Sequence, residues 1–350
     1  MHLGRQRAMT TAYVYHPLYL EHKQRGHPEN PERLQHVMET LRSESMLEQL
    51  IALEPTPATA DEIELVHSAA HRLRVQEVAA RGGGHLDPDT YVNGRSYQVA
   101  LLAAGGTSTA ARAVIEGKVD NAFCLVRPPG HHATPNRGMG FCLFNNIAIA
   151  ARVAQQQDNL ERVMIVDFDV HHGNGTQDAF YQDPTVLYFS THQYPYYPGT
   201  GHWRETGNLA GKGTTINVPL PAGVGDDGYA AVFRSLLWPA AERFRPQMIL
   251  VSAGFDAHWS DPLAFMLLSL TGYARMVQDL CAMAQKLCGG RIVFVLEGGY
   301  HLDVLAYSVL NAFRVLLGED RITDPLGPSP ADEEPIGGLI EQLAQYNELA

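Results

Sequence analysis

The stretch RVMIVDFDVHHGNGT at residues 162–176 decides the fold and holds the first candidate site residues. Its apolar run, residues 163–166, is rich in β-branched side chains and predicts a buried strand. On extended backbone, side chains two positions apart share a face, so Asp169 and His171 can point at the same object. A carboxylate and an imidazole are common zinc ligands. Taken alone, the pair fits equally well a strand end with capping and solvated polar groups.

The same order of strand, polar loop and helix recurs along the chain. Further strands are predicted at 121–126, 186–190, 248–252 and 292–296, with an edge strand at 214–218. Helices are predicted at 31–50, with Asn30 as the cap and Pro31 at the first position, and at 69–80, 96–116, 145–156, 226–244 and 272–287. This alternation predicts a three-layer α/β/α fold with a central, mostly parallel sheet. In such sheets ligands bind beyond the carboxyl ends of the strands, where four of these strands deliver polar residues.

Three other segments are predicted to lack regular structure. Residues 16–33 are rich in His, Pro and charged side chains, which predicts a surface loop. Residues 85–94 are predicted to form a second loop. Residues 318–338 are polar, Pro-rich and acidic, and a short helix is predicted to close the chain. We therefore assign residues 1–350 to one domain, of which 318–350 form the tail and closing helix.

Composition limits the classes of partner. The formal net charge of -12 and the pI of about 5.7 argue against a nucleic-acid-binding surface and favour cationic partners such as lysine-rich peptides or polyamines. The four cysteines show no CxxC spacing and fit a reducing compartment. Residues 1–11 lack the apolar core of a secretory signal, and no run reaches the length of a membrane span. These observations predict a cytoplasmic protein that binds neither nucleic acid nor membrane.

Asp256 follows another predicted strand and can supply a third ligand beside Asp169 and His171. Three protein ligands leave one position for water, which is typical of a catalytic rather than a structural zinc site. By itself Asp256 also fits a helix cap or a turn. On spacing alone, His258 and Asp261 are alternative third ligands.

Candidates for proton transfer lie in two other loops. His131 and His132 follow the RPPG turn, although a His pair in such a loop also occurs on ordinary surfaces. Asp167 and Asn174 can support them, because a His backed by a carboxylate stays charged whereas one beside a neutral amide can act as a base. Tyr300, presented by two glycines, can hydrogen-bond a developing oxyanion or simply cap a strand.

The sequence resembles the zinc-dependent histone deacetylases and their bacterial relatives, which include acetylpolyamine amidohydrolases and acetoin-utilisation-type proteins. The resemblance rests on motifs that occur in the family order between residues 15 and 315: RPPGHH, GFCLFNN, DFDVHHGNGT, SAGFDAH followed by DP, and LEGGY. GHPENPERL, and Asn174 where class I enzymes carry Asp, are similar to the class II branch. The resemblance implies an arginase-like α/β fold and an amidohydrolase that removes acetyl or other acyl groups from lysine side chains.

The resemblance also implies the metal chemistry. One zinc ion per chain is expected on Asp169, His171 and Asp256, where it would bind water and the amide oxygen. Tyr300 is expected to polarise the amide carbonyl together with zinc.

The same resemblance gives the histidines their roles. His132, with Asn174 behind it, corresponds to the general base and acid. His131, with Asp167 behind it, corresponds to the electrostatic partner. The family also holds a structural potassium ion, which the resemblance places near Asp167 and Ser190.

For the substrate, the resemblance implies an acyl-lysine tunnel lined by Gly140, Phe141 and Tyr197. The last of these is commonly Phe in the family, so Tyr197 changes the polarity of the tunnel. Asp89 corresponds to a rim residue that grips the substrate backbone. Arg33 corresponds to an arginine near an internal acetate-exit cavity.

Three alternative functions stay open. An acetylpolyamine amidohydrolase is the first, although Leu263 stands where one polyamine deacetylase type carries Glu and so favours acyl-lysine peptides or proteins over acetylated polyamines. A binuclear manganese ureohydrolase needs additional carboxylates, and the sequence has Gly173 and Gly254 near the ligands instead. The third is a catalytically silent scaffold that binds acyl-lysine. The sequence is compatible with acetyl or longer acyl groups and with a homo-oligomer.

Overall fold

A computed structural model describes residues 9–157 and 160–349. The secretory-signal expectation rests on residues 1–11 and lies largely outside the described residues, and the assignment of the chain to one domain stays a prediction. The strands are β1 (Thr11–Val14), β2 (Ile51–Leu53), β3 (Gly83–Asp87), β4 (Thr90–Asn93), β5 (Asn121–Cys124), β6 (Val163–Asp167), β7 (Val186–Gln193), β8 (Thr215–Leu220), β9 (Met248–Ala253) and β10 (Ile292–Leu296). The helices are α1 (Glu32–Ser43), α2 (Ala60–Glu64), α3 (Ala69–Ala80), α4 (Ser96–Ile115), α5 (Asn146–Gln155), α6 (Asn174–Phe180), α7 (Asp226–Val232), α8 (Trp238–Phe244), α9 (Leu270–Cys288), α10 (Leu302–Leu316) and α11 (Gly337–Tyr346).

The central sheet has eight strands in the order β2-β1-β5-β10-β9-β6-β7-β8, and each neighbouring pair is parallel. Strands β6, β9 and β10 are buried along their whole length, as their unbroken apolar runs predict, because helices cover both faces of a parallel sheet. Helices α4 and α5 pack together as one group, and α1, α9 and α10 form another. The predicted three-layer fold is confirmed, with β8 as the predicted edge strand.

The first helix is shorter than predicted and is not capped by Asn30. Helix α1 spans Glu32–Ser43, and Pro31 occupies the cap position. The side chain of Asn30 instead donates from Nδ2 to the carbonyl of His27 at 3.1 Å. Ser45 adopts a φ of 53°, and this left-handed backbone conformation stops the helix from continuing.

The prediction that residues 16–33 form a surface loop is wrong for part of the segment: Lys23 and Arg25 are exposed, but other polar and charged groups are buried as partners. Glu29 and His22 are both buried. Arg127 donates to both carboxylate oxygens of Glu29, and Arg33 donates from Nη1 to Oε1 at 3.1 Å. Burial acts to raise the pKa of Glu29, but Arg127 and Arg33 outweigh it and lower the pKa to about 2. Charge predicts exposure only where no opposite charge compensates it inside the protein.

The predicted loop at residues 85–94 is mainly a β-hairpin. Strands β3 and β4 pair antiparallel, with Gly84 opposite Val92 and His85 opposite Tyr91. The hairpin packs against α3, whose bounds match the prediction. Strand β3 is mostly exposed or half-buried and most of its residues are polar or glycine, which conceals the strand pattern, although Thr90, Tyr91 and Val92 of β4 are buried.

The acidic segment at residues 318–338 packs against the domain through its carboxylates. Glu333 accepts the N–H of Gly225 at 3.1 Å at the start of α7, and Asp324 accepts the N–H of Thr271 at 3.2 Å at the start of α9. Negative charge is favourable at these helix ends. Helix α11 follows as the predicted closing helix. Within the described part of the chain, no helix has the length and apolar character that crossing a membrane requires.

Candidate active site

The loops that follow four neighbouring strands of the central sheet form the candidate site. Strands β5, β10, β9 and β6 are neighbours in the sheet, so the loops at their carboxyl ends meet. In that order, the loops supply His131 and His132, then Tyr300, then Asp256, then Asp169 with His171.

Asp169, His171 and Asp256 are close enough to share one metal ion. Their ligand atoms all lie within 4.8 Å of one another. His171 Nδ1 is 3.2 Å from Asp169 Oδ1 and 3.3 Å from Asp256 Oδ2. The alternative third ligands, His258 and Asp261, are not part of this group. His258 Nδ1 lies 2.9 Å from Ser260 Oγ in its own loop, and Asp261 Oδ2 accepts the N–H of Tyr300 at 2.7 Å.

The chemistry of this group fits a divalent cation. Gly298 N donates to Asp169 Oδ2 at 2.8 Å, and Val170 N donates to Asp256 Oδ1 at 2.9 Å, so the backbone fixes both carboxylates. The other oxygen of Asp256, Oδ2, is buried and has no hydrogen-bond partner. A buried acceptor in this state costs about 1–3 kcal/mol, and more for a charged group, unless a cation compensates it. Two carboxylates and one imidazole suit zinc and leave one ligand position open.

Two glycines allow the carboxylates to approach each other. A Cβ atom at Gly254 would lie 2.0 Å from Asp169 Oδ2, and one at Gly298 would lie 2.0 Å from Asp256 Oδ2. A side chain at either position would displace one of these two carboxylates. There is accordingly no room at Gly254 for the additional carboxylate that a two-metal site requires.

The two histidines make the hydrogen bonds expected from the sequence. His131 Nδ1 is 3.1 Å from Asp167 Oδ2, and His132 Nδ1 is 2.9 Å from Asn174 Oδ1. Their ring centroids are 4.0 Å apart, and His131 Nε2 lies 3.8 Å from Asp169 Oδ1. His131 therefore presents Nε2 to Asp169, and the ring centroid of His132 lies 6.1 Å from that of His171.

The electrostatic environments of these histidines differ. Burial acts to lower the pKa of His131, but Asp169 and Asp167 outweigh it and raise the pKa to about 10. Burial, followed by the neighbouring His131 and His171, lowers the pKa of His132 well below its usual value. These shifts favour the neutral form of His132, which can accept a proton, and the charged form of His131.

Tyr300 is held by a hydrogen bond of its backbone N–H and by the contact of Arg33 with its ring. Its N–H donates to Asp261 Oδ2 at 2.7 Å. The Arg33 guanidinium lies 5.1 Å from the ring centroid, and Arg33 Nε donates to Gly299 O at 2.7 Å. Burial raises the pKa of Tyr300 well above its usual value, so its hydroxyl stays protonated and can donate a hydrogen bond. Arg33 lies behind Tyr300 and does not itself line the tunnel described next.

A cavity of about 90 Å³ forms a tunnel that reaches the candidate metal ligands Asp169, His171 and Asp256, which we call the metal group. The ring of Phe141 stands edge-on to Tyr300 at 6.0 Å, and the ring of Tyr197 stands edge-on to His132 at 5.2 Å. The wall also includes the other predicted substrate-binding residues of this region, Gly140, Leu263 and Asp89.

A larger cavity, of about 690 Å³, opens near the amino-terminal ends of β7 and β8. It is lined by residues such as Arg162, Thr214 and Arg243, and by none of the predicted site residues. Volume alone would favour it, but the metal group, the histidine pair and Tyr300 all lie at the smaller cavity. The smaller cavity is therefore the candidate active site.

The hairpin missed by the sequence analysis carries one rim of the tunnel. Asp89 lies in its turn, where burial and the nearby Asp87 raise the pKa of Asp89. His27 Nε2 lies 3.1 Å from Asp89 O, and Phe141 N donates to Thr90 Oγ1 at 3.0 Å. The hairpin thus joins the rim to the loop that carries Phe141.

Glu297 is a supporting residue that the sequence analysis missed. Its buried carboxylate accepts the N–H of Gly130 at 2.6 Å and of His131 at 3.2 Å, and the hydroxyl of Ser252 at 3.1 Å. Burial raises its pKa to about 7. It ties the loop of the two histidines to β9 and β10. The signal was its place directly after a buried strand, where an acidic side chain must find buried donors.

The two residues of the predicted potassium site, Asp167 and Ser190, are adjacent. Asp167 and Ser190 are paired in the register of β6 and β7. Asp167 Oδ1 accepts the N–H of Asp169 at 3.2 Å, and Ser190 Oγ lies 2.9 Å from His192 Nδ1. Potassium binding here stays a prediction.

Comparison with known proteins gives consistent similarities. The family model described as "Histone deacetylase domain" matches residues 27–316. A "Probable deacetylase" of Archaeoglobus fulgidus is 44% identical over 316 residues, which span 89% of this chain and 88% of that protein. The "Histone deacetylase-like amidohydrolase" of Pseudomonas aeruginosa is 39% identical over 305 residues, which span 86% and 80%. The crystal structure of the HDA15 HD domain matches with a TM-score of 0.88 and 38% identity over 97% of this chain and 94% of that one. The predicted arginase/deacetylase-like fold is confirmed.

Proposed function

Because this chain belongs to the histone deacetylase family, we propose that it is a zinc-dependent hydrolase that removes acetyl or other acyl groups from lysine side chains. As a member of the histone deacetylase family, the chain is a hydrolase. One observation supports zinc dependence and an acyl-lysine substrate. The narrow tunnel ends at the three candidate metal ligands, which also face the histidine pair and Tyr300.

Asp169, His171 and Asp256 would hold the zinc ion. When bound there, zinc supplies Lewis-acid chemistry, lowering the pKa of water and polarising the amide carbonyl. The unpartnered Asp256 Oδ2 and the fixed carboxylates support this assignment.

The chain's own residues would then move the protons. Neutral His132, held at Nδ1 by Asn174, accepts a proton from the attacking water at Nε2. The charged His131, held by Asp167, stabilises negative charge that develops nearby. Tyr300 donates its hydroxyl hydrogen bond to the oxyanion. The proton gained by His132 is finally delivered to the leaving amine, which completes the hydrolysis.

The tunnel would bind the aliphatic part of an acyl-lysine. Phe141 and Tyr197 supply aromatic surface for the methylene chain, and Gly140 keeps the wall close to His132. Asp89 at the mouth would accept backbone N–H groups of a peptide. The negative net charge would attract lysine-rich substrates. We further propose a structural potassium ion near Asp167 and Ser190, and a cytoplasmic location.

The test is a turnover screen with zinc-loaded protein. Acetyl-lysine peptides, peptides with longer acyl groups, and acetylspermidine should be compared as substrates. We expect the acetyl-lysine peptides to be hydrolysed with the highest kcat/KM. Preferred hydrolysis of acetylspermidine would replace the proposal with a polyamine amidohydrolase. Tight peptide binding without any turnover would indicate a silent acyl-lysine-binding scaffold.

A further inference from the structure

An aromatic shelf extends outward from the mouth of the tunnel. We define this shelf as Tyr196, Leu263 and Phe265. The ring of Tyr196 stacks on the metal ligand His171, with centroids 5.7 Å apart and 22° between the planes. Tyr196 also donates its hydroxyl to Leu263 O at 3.0 Å, and Leu263 lines the tunnel. The ring of Phe265 stands edge-on to Tyr196 at 6.1 Å. The apolar wall of the tunnel therefore continues onto the outer surface.

Phe265 is exposed although its backbone is fixed on both sides. Its side chain is 64% exposed. Phe265 N donates to Gln193 Oε1 at 2.9 Å, and Phe265 O accepts the N–H of Gly223 at 2.8 Å. These bonds fix the backbone from which the exposed ring projects. An aromatic ring kept exposed in this way is available to a ligand.

The position of this ring distinguishes it from an ordinary exposed apolar residue. Single exposed apolar side chains are common and need no explanation. Among the described residues, however, three aromatic side chains are exposed, namely Tyr197, Phe265 and Tyr346. Of these three, Tyr197 lines the tunnel, and Phe265 contacts Tyr196, whose ring stacks on His171.

We propose that the shelf binds an apolar or aromatic side chain of a peptide substrate, close in sequence to the acyl-lysine. This proposal rests on the proposed function. With the lysine side chain in the tunnel, the peptide backbone lies at the mouth. Consecutive Cα atoms of a peptide are about 3.8 Å apart. A side chain one or two positions from the lysine can therefore reach Phe265, which contacts the tunnel wall through Tyr196. The shelf thus selects peptides over acetylated polyamines, which have no such side chain.

The geometry favours a substrate peptide over a second copy of the chain. One exposed ring offers far less area than the roughly 800 Å² per partner of a stable interface. The shelf is also continuous with the tunnel, through Tyr196 and Leu263, and the opposite rim carries Asp89, which can accept backbone N–H groups. Both features suit a chain that crosses the mouth.

The experiment compares two sets of acetyl-lysine peptides that differ only near the lysine. In one set a Phe occupies, in turn, each of the two positions before and after the lysine; in the other set Ser replaces it. Steady-state kinetics of the zinc-loaded protein give the ratio of kcat/KM values for each Phe and Ser pair. The ratios are measured for the wild type, for Phe265→Ala, and for Leu73→Ala, which truncates an exposed apolar residue on α3.

We expect the wild type to prefer Phe at one position or more, mainly through a lower KM. Phe265→Ala should reduce that preference about tenfold, since a well-placed aromatic contact at a binding surface is worth about that much. Leu73→Ala should retain it. An unchanged preference in Phe265→Ala, or no preference in the wild type, would overturn the proposal. A concentration-dependent dimer that Phe265→Ala dissociates would assign the shelf to a second copy instead.

Two further measurements separate this inference from the proposed function. Turnover of acetyl-lysine without flanking residues tests the hydrolase alone, because that substrate does not reach the shelf. Fluorescence anisotropy of labelled peptides tests the shelf alone. Turnover without any Phe265-dependent selectivity refutes only the shelf. Phe265-dependent peptide binding without turnover refutes only the hydrolase.

Discussion

The floor and the rim of the tunnel are built in different ways. At the floor, Asp169, Asp256 and His131 are almost fully buried, and each is held by atoms from at least one other strand end. At the rim, Tyr197 and Phe265 are exposed by 37% and 64%, and each lies in a loop. The floor is suited to fixed chemistry, whereas the rim can change without disturbing it. We therefore expect substitutions to have smaller effects the farther outward they lie.

The largest effect is expected behind the floor, at Glu29. Glu29→Gln removes the charge that compensates two buried arginines, Arg127 and Arg33. We expect a loss of about 3–5 kcal/mol in the free energy of unfolding, as for other broken buried ion pairs. Equilibrium urea denaturation measures it. The matched control, Glu32→Gln at an exposed position of α1, should change stability by less than about 0.5 kcal/mol. Equal stability of the two variants would contradict the buried network.

The same residue predicts a pH dependence of stability. The pKa of Glu29 is lowered in the folded protein to about 2 from its ordinary value of 4.5. Its stabilising contribution is therefore complete above pH 4.5 and is lost as the pH falls towards 2. The difference in unfolding free energy between the wild type and Glu29→Gln should shrink across this range. If the difference in unfolding free energy stays constant down to the lowest pH at which the protein folds, ionisation of the Glu29 carboxylate is not the source of the stabilisation.

The next largest effect is expected at the floor itself. Tyr300→Phe removes one hydroxyl and should lower kcat about 10²–10³-fold, the usual cost of losing an oxyanion donor. His132→Ala should lower it by a similar or larger factor, because it removes the proton acceptor. Circular dichroism and thermal unfolding should show that both variants stay folded. Full activity in either variant would refute the role assigned to it.

A smaller effect is expected one layer away from the reacting groups, at Glu297. Glu297→Ala leaves the N–H groups of Gly130 and His131 without their acceptor, and we expect kcat to fall about 10–100-fold. Glu297→Gln keeps an acceptor oxygen, so it should restore most of kcat. If both variants lose only stability, and kcat of the folded fraction is unchanged, Glu297 does not position the histidine loop.

The smallest effect in this series is expected at the rim. Asp89→Asn keeps the shape of the side chain but removes its charge in a partly solvated setting, where such interactions are weak. We expect less than about a tenfold rise in KM for acetyl-lysine peptides and little change in kcat. Steady-state kinetics with the same peptide used for Tyr300→Phe makes the comparison direct. A fall in kcat as large as that of Tyr300→Phe would remove the distinction between floor and rim.

The floor was the part most accessible to prediction from sequence. Its residues follow strands with unbroken apolar runs, so Asp169 and Asp256 could be placed at one edge before any contact was known. Spacing alone left Asp256, His258 and Asp261 as alternatives. The decision required distances, because the chain folds back so that Asp261 meets the backbone of Tyr300 instead.

The buried charges behind the floor, in residues 16–33, and the hairpin at the rim could not be predicted from sequence as the floor residues could. Residues 16–33 look like a surface loop because their charges give no sign that Arg127, about a hundred residues away, compensates Glu29. The hairpin of β3 and β4 is short and its first strand is mostly exposed or half-buried, so its hydrophobic pattern is weak. Strands β1 and β2 and helix α10 were not assigned from the sequence at all. Long-range pairing decides each of these cases.

The most direct test of this account is metal titration of the protein after it has been stripped of metal by a chelator. We predict that the wild type binds one zinc ion per chain, that deacetylation of an acetyl-lysine peptide returns in proportion to the bound zinc, and that Asp256→Asn shows neither tight binding nor recovery. Full deacetylase activity without metal, or stoichiometric zinc binding that is unaffected in Asp256→Asn, would contradict the central claim that Asp169, His171 and Asp256 form the metal site.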